Sequence, residues 1–297
     1  MTVRLEGKPV AAAVQELLAD RIRRASPPKR PPTLASVHRA EASPFSFYLR
    51  QQHKVAEAVG LRLRDEPIPP GTSPSALVER LRALDGDPEV DGVLLEHPLP
   101  APYDFAAAIG TIRPEKDIDG VSAASLGLLA AGRPRNVPAV ARAALAIADH
   151  YKVALHGERV AVVGRSETVG LPLALMLLAR GAGHDATVTV AHSRTPDLGA
   201  ALAGATVVFG CAGHPGLLTR EVVPYRAAVI DVGLSSVPDP SRPSGARAVG
   251  DADPDSLEGW ARALTPVPGG VGAVTVTELL RGVVEAWERS TSEAKGP

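Results

Sequence analysis

The sequence predicts an α/β protein of two domains: an N-terminal α/β substrate domain and a Rossmann-like, doubly wound nucleotide-binding domain, with a cleft between them. Strand and helix patterns alternate in two series along the 297 residues, which favours parallel sheets. The second series opens with a strand, a glycine turn and a helix, the order found at nucleotide sites. Residues 264–275 hold two prolines and then a Gly-Gly-x-Gly run, so they form a shaped loop rather than a regular element.

The first series accounts for the N-terminal half of the chain. Apolar residues recur at helical spacing over 10–22, and a proline-rich stretch at 25–32 ends that helix. The patterns that follow alternate between strand and helix, which again predicts a parallel sheet. We expect strands at 33–37, 62–66 and 91–95, and helices at 47–59 and 75–83.

The second series begins after a plausible crossing between domains at 133–138 and a linking helix at 140–151. The last helix, 276–289, would have to pack back on the first domain for the glycine loop to face the cleft. We expect strands at 159–163, 186–191, 205–210 and 227–232, and an exposed excursion at 238–246. The predicted domains are residues 1–138, completed by the C-terminal helix 276–297, and residues 139–275.

The composition excludes several classes of function. With 32 basic and 33 acidic residues the net charge is -1, so no global charge directs the chain to nucleic acid or to an anionic membrane. The single cysteine, Cys211, excludes an internal disulfide and a cysteine metal cage, and it fits a reducing cytosol. The histidines show no ligand spacing, so we expect no metal. Neither a signal peptide nor an apolar run of about 20 residues is visible, and we expect a cytoplasmic protein.

A glycine turn follows the first strand of the second series. It contains Gly164, Arg165, Ser166, Gly170 and Pro172 and leads into a helical run. This order places N–H donors and the positive end of a helix at a pyrophosphate. The spacing is not the usual G-x-G-x-x-G, so an alternative is that the glycines only build a tight turn between strand and helix.

The end of the next strand indicates which dinucleotide binds. Sites for NAD normally offer an acidic residue there to the ribose 2′-hydroxyl, whereas this chain has His192, Ser193 and Arg194. Arg165, Ser193 and Arg194 can give charge-assisted hydrogen bonds to a 2′-phosphate. The sequence therefore favours NADP over NAD, with Arg194 as a solvated turn residue the alternative.

The third and fourth strands of this series end in two further candidate cofactor residues, Gly213 and Leu234. They would lie at the carboxyl edge of a parallel sheet, where they would flank the nicotinamide half of the cofactor. Cys211, beside them, is expected to be a small packing residue rather than a nucleophile.

Four features occur together in this chain: the glycine turn, the proline-glycine loop, the segment Lys116-Asp117-Ile118-Asp119-Gly120, and Tyr48 on an early helix. In these features nearly the whole chain resembles the methylenetetrahydrofolate dehydrogenase/cyclohydrolase family of one-carbon metabolism. The resemblance implies a tetrahydrofolate substrate, and a homodimer formed through the nucleotide domain, where strand 188–190 could pair across a two-fold axis. It also implies that Asp119 holds the amino-pyrimidine edge of the pterin and that the substrate loop comprises Pro268, Gly269, Gly270, Val271 and Gly272.

Two positions depart from the family pattern. The family has a lysine four residues after the tyrosine, where this chain has Gln52. Lys54, six residues after Tyr48, lies about 120° away from Tyr48 around an ideal helix. A family glutamine is replaced by Glu96. If Glu96 faces the ligand, strand alternation directs His97 to the opposite face. Tyr48, Gln52, Glu96 and Asp119 are therefore the candidate catalytic residues.

These departures bear on the two reactions of the family differently. Hydride transfer from the folate needs positioning and stabilisation of a developing cation, which Gln52 and Glu96 permit. Cyclohydrolysis needs a proton carrier, and an amide cannot replace a lysine in that role. We therefore expect an NADP-dependent dehydrogenase with weak or absent cyclohydrolase activity. Open alternatives are Glu96 as a substitute base, an oxidoreductase for another reduced pterin or cyclic amine, suggested by Phe45, Gln52 and Glu96 together, and a non-catalytic regulator that binds folate and NADP.

Overall fold

The computed structural model of the protein describes residues 1–25, 30–40, 45–181, 184–242 and 245–293. Its contacts divide the chain into two compact units. One consists of residues 1–11 and 140–275 and is called here the six-stranded unit; the other consists of residues 12–139 and those from 276 onward and is called the three-stranded unit. Part of the predicted proline-rich stretch, 26–29, and the last four residues of the predicted C-terminal helix lie outside the described residues.

The strands and helices have the following bounds. Strands are β1 (Val3–Arg4), β2 (Thr33–Arg39), β3 (Arg62–Ile68), β4 (Gly92–Leu95), β5 (Arg159–Val163), β6 (Thr187–Ala191), β7 (Val207–Gly210), β8 (Ala228–Asp231), β9 (Ser235–Pro238), β10 (Ala246–Val249) and β11 (Ala263–Leu264). Helices are α1 (Gly7–Arg24), α2 (Phe45–Val59), α3 (Pro74–Gly86), α4 (Phe105–Ile109), α5 (Ala123–Ala130), α6 (Ala139–His150), α7 (Gly170–Leu178), α8 (Leu198–Leu202), α9 (Pro254–Leu257) and α10 (Gly272–Glu293).

Both main sheets are parallel, which confirms the predicted α/β class. The larger sheet has the order β1-β11-β8-β7-β5-β6 and the smaller the order β3-β2-β4. The predicted excursion at 238–246 lies between β9 and β10, which pair as an antiparallel hairpin; residues 243–244 of it are outside the described part. Every predicted strand of the two series is present, with ends that differ by one or two residues.

The N-terminal residues belong to a different unit from the one expected. Residues 1–11 lie in the six-stranded unit, not in the predicted 1–138 domain, because β1 pairs in parallel with β11 through Val3 and Ala263. The predicted helix at 276–289 is also longer: α10 begins at Gly272 and therefore includes the end of the glycine loop.

Each sheet is apolar on both faces, as parallel sheets with helices on both sides require. In β5, Val160 and Val162 belong to one core cluster, whereas Ala161 and Val163 belong to another. The smaller sheet alternates in the same way, with Leu34 packed against α2 and α10 and the next residue in the opposite cluster. Within the described ranges no helix is both long and apolar enough to cross a membrane.

Trp287 anchors α10 in the three-stranded unit, and its replacement should be costly. The side chain is almost fully buried in the cluster that contains Leu34, and its indole N–H donates to the Arg30 carbonyl at 3.1 Å. We expect Trp287→Ala to lower the free energy of unfolding by about 3–5 kcal/mol. Trp287→Phe, which keeps most of the ring, should cost about 1–2 kcal/mol. Urea unfolding followed by circular dichroism measures both, and equal losses would contradict this packing role.

Candidate functional site

Glu96 lies directly after β4 and on the α2 side of the small sheet. Its backbone N–H donates to the Val37 carbonyl at 2.9 Å, which extends the pairing of β4 with β2 by one step. Leu94, two residues earlier, packs in the cluster that contains α2. Because side chains alternate along a strand, Glu96 projects toward α2 as Leu94 does. His97 instead packs against the ring of Phe105, with centroids 5.0 Å apart, as the alternation predicts.

The α2 helix presents Tyr48 and Gln52 to the same place. The two residues are one turn apart, so their side chains share a face of the helix. Gln52 is fully buried, whereas Lys54 is exposed. Burial, then the charge of Asp119, then that of Glu96 raise the pKa of the Tyr48 hydroxyl far above its usual value, so the two carboxyls lie near it. The structure therefore brings together all four candidate catalytic residues; the side chain of Phe45 lies outside the described part.

Gln52 and Glu96 are buried polar groups without hydrogen-bond partners among the described residues. Both amide atoms of Gln52 and both carboxyl oxygens of Glu96 are in this state. Burial raises the pKa of Glu96 to about 7; nearby His38 and Gln52 lower it in part, and Asp65 raises it. The amide thus lies near the carboxyl without a hydrogen bond of full geometry. Buried polar groups are nearly always paired, so these atoms are available to a ligand or to water.

Asp119 and Asp117 have different surroundings although only one residue separates them. Asp117 is saturated, since its carboxylate accepts from the Ser122 N–H at 2.9 Å and from the Ser125 hydroxyl at 2.6 Å. Asp119 accepts from the Ala139 N–H at 3.1 Å. Burial raises the pKa of Asp119 to about 7. The hydrogen bond from Ala139 lowers this pKa in part, and the charge of Asp117 raises it. Asp117 therefore builds the turn, and Asp119 retains acceptor capacity for a ligand.

The glycine turn after β5 is tight. A Cβ at Gly164 would overlap the carbonyl oxygen of Cys211, and one at Gly170 would overlap that of Gly164. Ser166 accepts from the Gly170 N–H at 3.4 Å, and α7 begins at that glycine without a side-chain cap from its N-cap residue. Pro172 is buried in the first turn of α7. The N–H groups of Gly170 and Leu171 both donate to Ser166 and Pro172 has none, so an anion at this helix end would meet the exposed side chains of Arg165 and Ser166.

The turn after β6 lies next to this glycine turn, because β5 and β6 are neighbours and end together. The His192 N–H donates to the Thr195 hydroxyl at 2.9 Å, and the Arg194 N–H donates to Nδ1 of His192 at 3.1 Å. These bonds close the turn and leave the side chains of Ser193 and Arg194 exposed. Arg165 and Arg194 can therefore approach one phosphate from two adjacent turns.

Two buried carboxylates that the sequence analysis did not single out hold the loops after β7 and β8. Asp251 accepts from the N–H groups of Ala212 at 2.6 Å and His214 at 2.7 Å. Asp231 accepts from the N–H groups of Gly233, Asp251 and Ala252 at 2.8–3.0 Å. Burial raises the pKa of Asp231 to about 6.

These loops carry the two candidate nicotinamide residues. Gly213 has a positive φ of 63°, and Leu234 is 70% exposed, which is unusual for a large apolar side chain. Sequence reasoning missed the two aspartates because their partners are backbone groups. Their one signal is a glycine within two residues at the end of a strand or hairpin: Gly233 after Asp231, and Gly250 before Asp251.

The substrate loop is packed on the start of α1. The Gly7 N–H donates to the Gly269 carbonyl at 2.8 Å, and a Cβ at Gly7 would overlap the Gly270 carbonyl. Residues 268–271 form the turn itself, with Gly269 at φ 112°, and Gly272 is the first residue of α10. In the described part of the chain, no group of three His, Cys, Asp or Glu residues could hold a metal ion.

Comparisons with known proteins give a consistent result. Residues 5–119 match the catalytic domain of tetrahydrofolate dehydrogenase/cyclohydrolase, and residues 138–291 match its NAD(P)-binding domain. A bifunctional protein FolD of Nocardia farcinica is 40% identical over 288 residues, 97% of this chain and 98% of that protein.

Solved structures agree. One is the FolD methylenetetrahydrofolate dehydrogenase-cyclohydrolase of Trypanosoma brucei, in complex with NADP and an inhibitor; it is 35% identical, with a TM-score of 0.89 and 98% of each chain covered. Another is a 5,10-methylenetetrahydrofolate dehydrogenase of the silkworm Bombyx mori, 30% identical, with a TM-score of 0.90 and coverage of 98% of this chain and 100% of that one. These matches confirm the predicted fold class and nucleotide domain.

The burial of Glu96 should be measurable as a dependence of stability on pH. Its folded pKa of about 7 lies above the ordinary 4.5. The stabilisation linked to its protonated form is therefore complete below about pH 4.5 and is lost as the pH rises through about 7. At about pH 8 the cost is about 3 kcal/mol.

We therefore expect Glu96→Gln to be more stable than the unmodified protein at about pH 8 and little different at about pH 5. Thermal unfolding at the two pH values measures this. Glu57→Gln, at an exposed glutamate of α2, is the control and should show no such difference. If Glu96→Gln differed from the unmodified protein by the same amount of stability at both pH values, the burial of an unpaired carboxylate would be contradicted.

Proposed function

Because this chain belongs to the tetrahydrofolate dehydrogenase/cyclohydrolase family, it is an NADP-dependent methylenetetrahydrofolate dehydrogenase, and we propose that its cyclohydrolase activity is weak or lost. The oxidation converts 5,10-methylenetetrahydrofolate to 5,10-methenyltetrahydrofolate. One observation carries the proposal: a fully buried amide, Gln52, stands one helical turn from Tyr48, and the carboxyl of Glu96 lies near it. Among the described residues of α2, none that faces the site with Tyr48 has an amine that could carry a proton.

The residues of the six-stranded unit fit NADP. NADP, when bound, accepts the hydride. The positive end of α7, the glycines that exclude a Cβ there and the exposed Arg165 suit a pyrophosphate. The turns after β5 and β6 expose side chains that can hold a 2′-phosphate, namely Arg165, Ser193 and Arg194. The turn after β6, residues 192–195, contains no carboxylate that would repel this phosphate.

The residues of the three-stranded unit suit the folate. We assign Asp119 to the amino-pyrimidine edge, where its acceptor capacity would be used. Glu96, when ionised, favours the positive charge that develops on the folate during oxidation, and burial strengthens this effect because the local dielectric is low. Gln52 can bind the substrate as a neutral donor and acceptor. Oxidation thus needs nothing that this site lacks.

Hydrolysis of the methenyl product makes a different demand. Water must lose protons, and a proton must reach the nitrogen that leaves. Gln52 has no titratable proton, and Lys54 is exposed. A second candidate function is full bifunctionality with Glu96 as the base, which its unpaired oxygens and its pKa of about 7 favour.

We extend the proposal to assembly and location. The three-stranded unit is proposed as the substrate domain and the six-stranded unit as the nucleotide domain. A homodimer through β6 is proposed because this edge strand exposes apolar residues, with Val190 41% exposed. A cytoplasmic location fits a chain with a single cysteine.

The choice of cofactor gives one test. We expect Arg194→Ser to raise the KM for NADP about tenfold, and Arg165→Ser/Arg194→Ser to raise it further, because each charge-assisted hydrogen bond contributes about 1.5–3 kcal/mol. The KM for NAD should change little. Arg220→Ser, at an exposed arginine after β7, is the control. Equal losses with NADP and NAD would show that these arginines do not bind the 2′-phosphate.

Restoring an amine gives a second test, with methenyltetrahydrofolate as the substrate. Gln52→Lys alone should gain little hydrolysis, because Glu96 would hold the proton of the new amine. Gln52→Lys/Glu96→Gln should gain about 10–100-fold, since general acid–base catalysis contributes at least that much. Gln52→Met should show no gain. Rapid hydrolysis by the unmodified protein that is lost in Glu96→Gln would establish the second candidate instead.

A further inference from the structure

We propose that His38 is a positioning residue that acts through Glu96: its imidazole, when protonated, favours the ionised form of the neighbouring carboxyl, so that this charge can offset the positive charge created on the folate. The inference rests on the proposed function. It assigns a role to a residue of β2 that neither the sequence analysis nor the comparisons single out.

The strand register places His38 beside Glu96. The sheet order is β3-β2-β4, and Ser36 of β2 is level with Asp65 on one side and Leu94 on the other. His38 and Glu96 each lie two residues further on, and therefore project on the same face of the sheet. Contact of Asp65 with His53 of α2, at 2.9 Å, shows that this is the α2 face. Asp65, His38 and Glu96 thus form a row on one face of three neighbouring strands, with Asp65 in the middle of β3 and the other two near the carboxyl ends of β2 and β4.

The orientation of the imidazole leaves one nitrogen for this row. Nδ1 of His38 lies 3.0 Å from the Arg39 carbonyl oxygen, which can only accept, so Nδ1 carries a proton. Nε2 is buried and has no hydrogen-bond partner among the described residues. It lies 4.0 Å from Oδ1 of Asp65, and the side chain is 14% exposed. A second proton on Nε2 would therefore give a cation that faces the carboxylates.

Among the described residues, the other groups that act on Glu96 do not supply that positive charge. From β3, Asp65 disfavours the ionised carboxylate, and from α2 the neutral Gln52 favours it less than His38 does. The Tyr48 hydroxyl stays neutral because its pKa is raised. Asp119, whose segment pairs with β4 through Asp117 and Val93, is an acid and cannot carry a positive charge. Burial of an unpaired carboxylate is expensive, so the state of Glu96 depends on His38.

The location of the row gives His38 an indirect role. Glu96 follows β4, which pairs with the segment that leads to Asp119, whereas the imidazole of His38 lies toward Asp65 of β3. The carboxyl is therefore on the side of the proposed folate residues, and the imidazole is behind it. His38 need not touch the folate. It would determine over which pH range the carboxylate is charged, because an opposite charge within about 4–6 Å favours the ionised form.

The test is the pH profile of kcat/KM for oxidation of methylenetetrahydrofolate with NADP, for the full chain. In the unmodified protein the rate should rise with pH as Glu96 ionises. In His38→Asn, which keeps a donor for the Arg39 carbonyl, the rising limb should move to higher pH by about one unit, a roughly tenfold loss below its midpoint. Glu96→Gln should remove the limb. His53→Asn, an exposed histidine that also contacts Asp65, should leave it in place.

Further variants separate this role from a structural one. His38→Gln provides an independent replacement if His38→Asn does not fold, as judged by circular dichroism. His38→Asn/Glu96→Gln should match Glu96→Gln alone, because His38 acts only through the carboxyl. An unmoved limb in a folded His38 variant, or an unchanged limb in Glu96→Gln, would overturn the inference while the dehydrogenase assignment stands. Absence of oxidation by the unmodified protein would instead refute the proposed function.

Discussion

An amide and a carboxyl that are both buried, close together and without complete hydrogen bonds among the described residues are the constraint on which the substrate site depends. Such groups oppose folding unless something else holds them in place. Here Gln52 is fixed by α2, and Glu96 is fixed by a backbone hydrogen bond to β2. The apolar packing of Leu34 and Leu94 on the same face stabilises the arrangement that these two groups alone would not favour. The unit therefore keeps a polar site whose free acceptors and donors are available to a ligand.

The same architecture explains how charge is distributed in the two units. In parallel sheets the carboxyl ends of strands meet at one edge, so residues far apart in sequence collect there. In the three-stranded unit this edge carries His38 and Glu96, whose charges are left without full hydrogen bonding. In the six-stranded unit it carries Asp231 and Asp251, whose oxygens are taken up by backbone N–H groups. The first pair is thus suited to chemistry, and the second to shaping loops around a cofactor.

Much of this arrangement could be predicted from the sequence. The long apolar strands were placed within one or two residues because buried parallel strands have a strong local pattern. The spacing of Tyr48 and Gln52 fixed their common helix face, and alternation placed Glu96 opposite His97.

What the sequence could not show depends on tertiary contacts. β1 and β11 are two residues each, and their pairing joins the two ends of the chain, so no local pattern reveals it. The early start of α10 at Gly272 was missed because glycine is a poor helix former. Whether Glu96 has a partner, and that His38 stands beside it, follows only from the register of three strands. The available signal was that one face of β2 carries the polar Ser36 and His38, whereas the other carries Ala35 and Val37.

The most direct test of the central claim follows all products during turnover of the unmodified protein with methylenetetrahydrofolate and NADP. If a buried amide has taken the place of the proton carrier, NADPH and methenyltetrahydrofolate should appear together. The formyl product should then form only at the rate at which methenyltetrahydrofolate hydrolyses in the same buffer without protein. Formation of the formyl product in step with NADPH from the start would contradict the account.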